Sequence, residues 1–181
     1  MAVLNILQYP HKALRSKGGR SVVVDERVQG EVKQLFDTLY AANGWGLTST
    51  QVGLASRIFV MDISPDQNQP TCFINPEILS KQGKVESEED CLSFPGVYIK
   101  IPRARQIQLQ YQNEQGEVQT QTFEGLLACC IQHGVDNLNG VLFIDHLSNL
   151  KRTRLMKKYD KLKTTHQAHA CGHGCDDHHH H

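Results

Sequence analysis

The sequence lacks any run of about 18 apolar residues, the minimum for a bilayer-spanning helix, so no transmembrane segment is expected. Its first residues, Met1 to Leu7, lack a basic stretch followed by a long apolar one, which argues against a secretory signal. It lacks an excess of either charge, with 19 lysines and arginines against 19 aspartates and glutamates. That balance removes any global pull toward DNA or a membrane surface, so any basic patch must be local. It also lacks a disulfide framework. Cys72, Cys91, Cys129, Cys130, Cys171 and Cys175 are irregularly spaced, and a chain of 181 residues can bury a core without such staples. With no signal and no framework, the cytoplasm is the expected compartment. No internal repeat and no linker interrupt the chain before its end, so one domain is expected over residues 1–165.

Several short elements can be read from periodicity. Val32, Leu35, Phe36 and Leu39 recur at helical spacing within 31–41. Asn43 to Gly46 sets two glycines around Trp45 and reads as a loop. Residues 57–63, 72–75 and 97–101 read as strands, with a polar, acidic loop at 83–90. Ile107, Leu109 and Tyr111 alternate with glutamines, the chain turns at Asn113 to Gly116, and 118–123 returns, which is the pattern of a hairpin. Helices are expected at 124–138 and about 149–163. Strands in the middle flanked by helices predict an α+β fold.

The chemistry concentrates on the helix at 124–138, where Leu126, Cys130, His133 and Asn137 share one face. Two histidines four apart on a helix aim both imidazoles at one metal, and a glutamate after the first can act as general base. Here Gln132-His133-Gly134-Val135-Asp136-Asn137 supplies only the first histidine, and a lone helical histidine is most often structural. Two further segments change its weight. Gly44-Trp45-Gly46-Leu47-Thr48-Ser49-Thr50-Gln51 places a glutamine after a glycine-rich turn, and Glu89-Asp90-Cys91-Leu92-Ser93 places a cysteine after acidic residues.

In order, these three segments resemble the signature motifs of peptide deformylases: Gly-x-Gly-Leu-Ala-Ala-x-Gln, Glu-Gly-Cys-Leu-Ser and Gln-His-Glu-x-Asp-His. Val3-Leu4-Asn5-Ile6-Leu7 with Pro10 and Leu14-Arg15, Ile74-Asn75-Pro76, Pro102-Arg103 and Gly125-Leu126-Leu127-Ala128 extend the resemblance over about residues 1–163. It implies a deformylase-like fold, with mixed antiparallel sheets around a central metal-motif helix and a C-terminal helix. It implies an amide hydrolase that removes the formyl group from N-formylmethionyl ends of nascent polypeptides, using Fe²⁺ or Zn²⁺ held by one cysteine and two histidines. Cys91 and His133 match two ligands. Gln51 and the amide of Leu92 match the groups that stabilise the oxyanion. Gly44 and Gly46 match the strand that a substrate backbone approaches, and Trp45, Leu126, Cys129 and Cys130 fall near the methionine pocket.

The departures are specific. Gly134 stands where the family has its catalytic glutamate, and Asn137 where it has the second histidine ligand; a carboxamide oxygen is a weak ligand for these metals. Asp90 for glycine adds a charge beside the metal position and a candidate extra ligand. Thr48-Ser49 for the alanine pair is milder. The reading that follows is a deformylase-like protein with catalysis lost or much reduced. Two alternatives stay open: an active deformylase with a rerouted metal site, and a metal-handling protein acting through its tail. On the sequence alone, Gly134→Glu with Asn137→His is the pair of changes that restores the third motif.

Two features lie outside the motifs. Lys151, Arg152, Arg154, Lys157, Lys158, Lys161 and Lys163 stand against Asp160 on the last helix, which could bind RNA phosphates; the resemblance implies the ribosome as the partner, and a solvated helix face is the competing reading. Residues 166–181, with Cys171, His173, Cys175 and the histidines around them, are expected to form a disordered tail or part of a tag, able to chelate a soft divalent metal. Extended, that tail would span roughly 50 Å, enough to carry a ligand to the pocket.

Overall fold

The computed structural model describes residues 2–19 and 23–163. The Cys/His-rich tail at 166–181 lies outside the described residues. Helix α1 (Glu26–Ala41) begins a turn before the apolar pattern at 31–41 suggested, because the Asp25 side chain accepts from the Val28 N–H and caps it. Val28, Val32, Leu35 and Leu39 form its buried stripe. Helix α2 covers Gly125–Leu138, and α3 occupies residues 149–163. Among the described residues no helix is long and apolar enough to cross a membrane.

Five strands form an antiparallel sheet in the order β1-β2-β3-β6-β7: β1 (Gly46–Thr48), β2 (Ile58–Met61), β3 (Thr71–Gln82), β6 (Gln106–Gln112) and β7 (Val118–Glu124). Strand β2 is buried along its whole length. Alternation sends Ile58 and Val60 to the side of α1, and Phe59 and Met61 to the side of α2. The two helices therefore sandwich one strand, and the helix carrying His133 packs on the face that carries Phe59.

A second, two-stranded sheet pairs β4 (Val85–Glu89) with β5 (Ile99–Arg103). This corrects the loop expected at 83–90. Hydrogen bonding to β5 makes the acidic segment a strand, in which Ser87 and Glu89 turn inward while Glu86 and Glu88 face out toward Lys100. The α+β architecture, with antiparallel sheets around α2, is the one expected.

A third cluster closes the C-terminal side. Leu14, Phe94, Ile101, Phe143 and Tyr159 are buried together. The Tyr159 hydroxyl donates to the Tyr9 carbonyl at 3.2 Å, and the Lys163 ammonium donates to the same oxygen at 2.6 Å. Helix α3 thus belongs to the domain through one face, and Lys151, Arg154, Lys157 and Lys158 lie on the exposed remainder. Tyr159→Ala is expected to cost about 3–5 kcal/mol, as for other aromatic side chains removed from a core, read as a lower midpoint in urea unfolding.

Candidate metal centre

The first two motifs meet through packing. A Cβ on Gly44 would fall 2.7 Å from Leu92 Cδ1, so glycine lets the two loops pack closely without displacing the Leu92 side chain. A single 3-10 turn, Ser49–Val52, follows β1 and carries Gln51 inward. The Gln51 Oε1 accepts from the Thr48 N–H at 3.0 Å and the Thr48 hydroxyl at 3.2 Å. A backbone N–H can only donate, so the amide orientation is set. Its Nε2 then donates to Ser93 Oγ at 3.0 Å and meets Cys91 Sγ at 3.5 Å.

The third motif completes the cluster. His133 projects from α2 on the side of Cys91, which acts on its imidazole electrostatically, and places Nδ1 2.9 Å from Glu89 Oε1. Burial by itself would lower the imidazole pKa, but the partnerships with Cys91 and Glu89 outweigh it and push it up to about 9. With Nδ1 engaged by Glu89, Nε2 is the ring nitrogen left for a metal. The structure therefore brings Gln51, Cys91 and His133 together.

One helical turn on, Asn137 is 4% exposed, and its Oδ1 has no hydrogen-bond donor. A buried acceptor without a partner is costly and marks a place where a donor or a cation fits. The donor set is thus one thiol, one imidazole and one orphaned carboxamide oxygen: two strong ligands for a borderline metal and a weak third. Among the described residues no group of three or more His, Cys, Asp or Glu side chains is arranged to hold a metal. Asp90 is exposed.

The residues matched to the methionine pocket divide. Cys129 is buried, and Cys130 packs on the α2 core with its thiol pushed up to about 12 by burial first and Glu89 second. Trp45 and Leu126 are 54% and 51% exposed. A shallow cleft of about 450 Å³ lined by Arg57, Glu77, Lys81, Asp136 and Asn139 touches none of Gln51, Cys91, His133 or Asn137.

Three contributors were not singled out from sequence. Arg103 is 5% exposed and makes a two-pronged pair with Glu89, both bonds 2.8 Å, and a 2.6 Å bond to Asp136. Glu89 is the hinge of this network, holding Arg103 on one side and His133 on the other. The inward alternation of Ser87 and Glu89 was the available signal, but a strand whose inward residues are polar does not show the usual apolar pattern.

Comparison with known proteins supplies the family. A profile described as Polypeptide deformylase matches residues 3–153. The chain is 44% identical over 161 residues to the peptide deformylase of Neisseria gonorrhoeae, covering 89% of this chain and 96% of that protein. It is 45% identical to that of Pseudoalteromonas translucida, with the same coverage. Among solved structures it is similar to a peptide deformylase from Legionella pneumophila, with a TM-score of 0.86 and 40% identity, covering 92% of this chain and 98% of the other. It is also similar to a peptide deformylase from Synechococcus elongatus in complex with actinonin, with a TM-score of 0.82 and 34% identity over 87% of this chain and 88% of that one.

The buried charge network makes two measurable predictions. Arg103→Leu leaves Glu89 and Asp136 short of counter-charge and is expected to cost about 3–5 kcal/mol in urea unfolding. The Glu89 carboxyl is held at about 2 against an ordinary 4.5: burial pushes it up, and the bonds to Arg103 and His133 more than reverse that. A depressed folded-state pKa contributes stability that is full above about 4.5 and is lost as pH falls through about 2. Unfolding free energy measured across that window is expected to fall steeply in the parent chain, and less so in Glu89→Gln.

Proposed function

This chain belongs to the polypeptide deformylase family, and on that premise we propose that it is a deformylase-like protein directed at N-formylmethionyl ends of nascent polypeptides, with hydrolysis lost or much reduced. The observation that carries the reading is the pair of positions on α2 flanking the cluster. Residue 134 offers no side chain to hold or move a proton, and residue 137 offers a carboxamide in place of an imidazole. Loss of a positioned general acid/base typically costs about 10²–10⁴-fold in rate.

Much of the centre's surroundings is retained. Cys91 and His133 would hold Fe²⁺ or Zn²⁺, with Asn137 Oδ1 the third donor. Such a metal, when bound, supplies an activated water and polarises a carbonyl. Gln51, its amide oriented by Thr48, would donate Nε2–H to an oxyanion beside the Leu92 amide. Glu89 fixes the imidazole of His133. By the family resemblance, Gly44 and Gly46 would be approached by the peptide backbone, and Trp45, Leu126, Cys129 and Cys130 would serve the methionine side chain. The exposed Lys151, Arg154, Lys157 and Lys158 on α3 support contact with ribosomal RNA, a role independent of hydrolysis.

The test uses the full chain at a concentration equal to that of a formyl-methionyl peptide, with Fe²⁺, Zn²⁺, Ni²⁺ or Co²⁺ added in turn. Formate release at the background rate is expected with every metal, while the peptide still binds in a titration. Multiple turnovers with any one metal would instead identify an active deformylase with a rerouted centre.

A further inference from the structure

We propose that Phe59 is the residue that closes the general-base position of this centre, so that Gly134 and Phe59 act as one unit. This rests on the reading that hydrolysis is lost or reduced, and extends it by naming what keeps the position closed. A Cβ built on Gly134 would come within 2.5 Å of Phe59 Cε2 and 2.7 Å of Cδ1, and closer still to Cδ2. Real Cβ atoms do not approach a ring so closely, and three atoms of one ring face cannot be avoided by moving a flexible tip. The ring lies against the α2 backbone where any side chain at 134 must start.

Phe59 has little freedom to retreat. It is 3% exposed and belongs to β2, paired with Thr48 on one side and Phe73 on the other. A Cβ on Gly46 would fall 2.8 Å from its Cε1, so the ring is wedged between two glycines of different motifs. Behind it Phe73 stacks at 6.0 Å between ring centres. The absence of a side chain at 134 is therefore not an empty place: an aromatic ring occupies the adjoining volume. Gly134→Glu with Asn137→His, sufficient by sequence, is insufficient by volume. Phe59 must become smaller at the same time.

Two measurements decide the matter. The first is a stability cycle in the full chain with Gly134→Ala, Phe59→Val and both together. Alanine is the better helix former, so if the ring were irrelevant Gly134→Ala would raise the melting temperature in either background. The expected result is a fall of several degrees with Phe59 present and a rise, or no change, with Phe59→Val. A rise of equal size in both backgrounds overturns the proposal. The second compares Gly134→Glu/Asn137→His with the same pair plus Phe59→Val, for metal content and formate release. The triple variant is expected to hold metal and to be faster by on the order of 10²-fold. If the double variant matches it in both, Phe59 does not close the position, while the reading of lost hydrolysis stands. If the parent chain itself turns over, that reading fails, and the stability cycle still decides the role of Phe59.

Discussion

The arrangement depends first on one guanidinium taken out of water. Arg103 sits at the end of β5 with almost no exposure, and a charge so placed is tolerable only when its donors are met by carboxylates in good geometry. Glu89 and Asp136 meet them, one from the partner strand and one from α2. The small sheet, the main helix and the histidine are thereby held in one register. Glu89 can orient His133 only because Arg103 holds Glu89. The Cys91–His133 approach is thus a consequence of a buried ion pair that touches neither the thiol nor Asn137.

The motifs made the chemistry legible and left the packing obscure. Gln51, Cys91 and His133 are legible through the resemblance of three short motifs to a known family, and the structure sets them side by side. Helix α2 was readable because its apolar residues keep a 3.6 period, and the β6–β7 hairpin because Ile107, Leu109 and Tyr111 alternate. The first turn of α1 was missed because its signal is a single cap, Asp25, with one apolar residue, Val28, beyond it. Strand β4 reads as a loop in the sequence because its inward residues are Ser87 and Glu89, and Glu89 finds its partner only when Arg103 is brought beside it. The contact of Phe59 with Gly134 had no sequence signal at all: a phenylalanine in a strand and a glycine in a helix are each unremarkable until the two elements are packed.

Two substitutions on one helix have different physical standing. At 137 the carboxamide leaves an unmet acceptor, a defect that persists in the folded chain and that a cation can relieve. At 134 the glycine is matched to its surroundings by an aromatic ring and leaves no defect. The first position is therefore receptive and the second sealed, although both read equally as losses in the sequence.

The carbonyl of Tyr9, which accepts from both Tyr159 and Lys163, bears on how the chain assembles during synthesis. It joins the earliest described turn to the last helix, among the most non-local contacts the molecule makes. A polypeptide emerging N-terminus first can pack α1 on β1 and β2 early, yet Leu14 and Phe94 must wait for Tyr159 before their core is complete. Until α3 has emerged, that apolar surface stays uncovered. Completion of this core therefore follows synthesis of α3 and not that of the motifs.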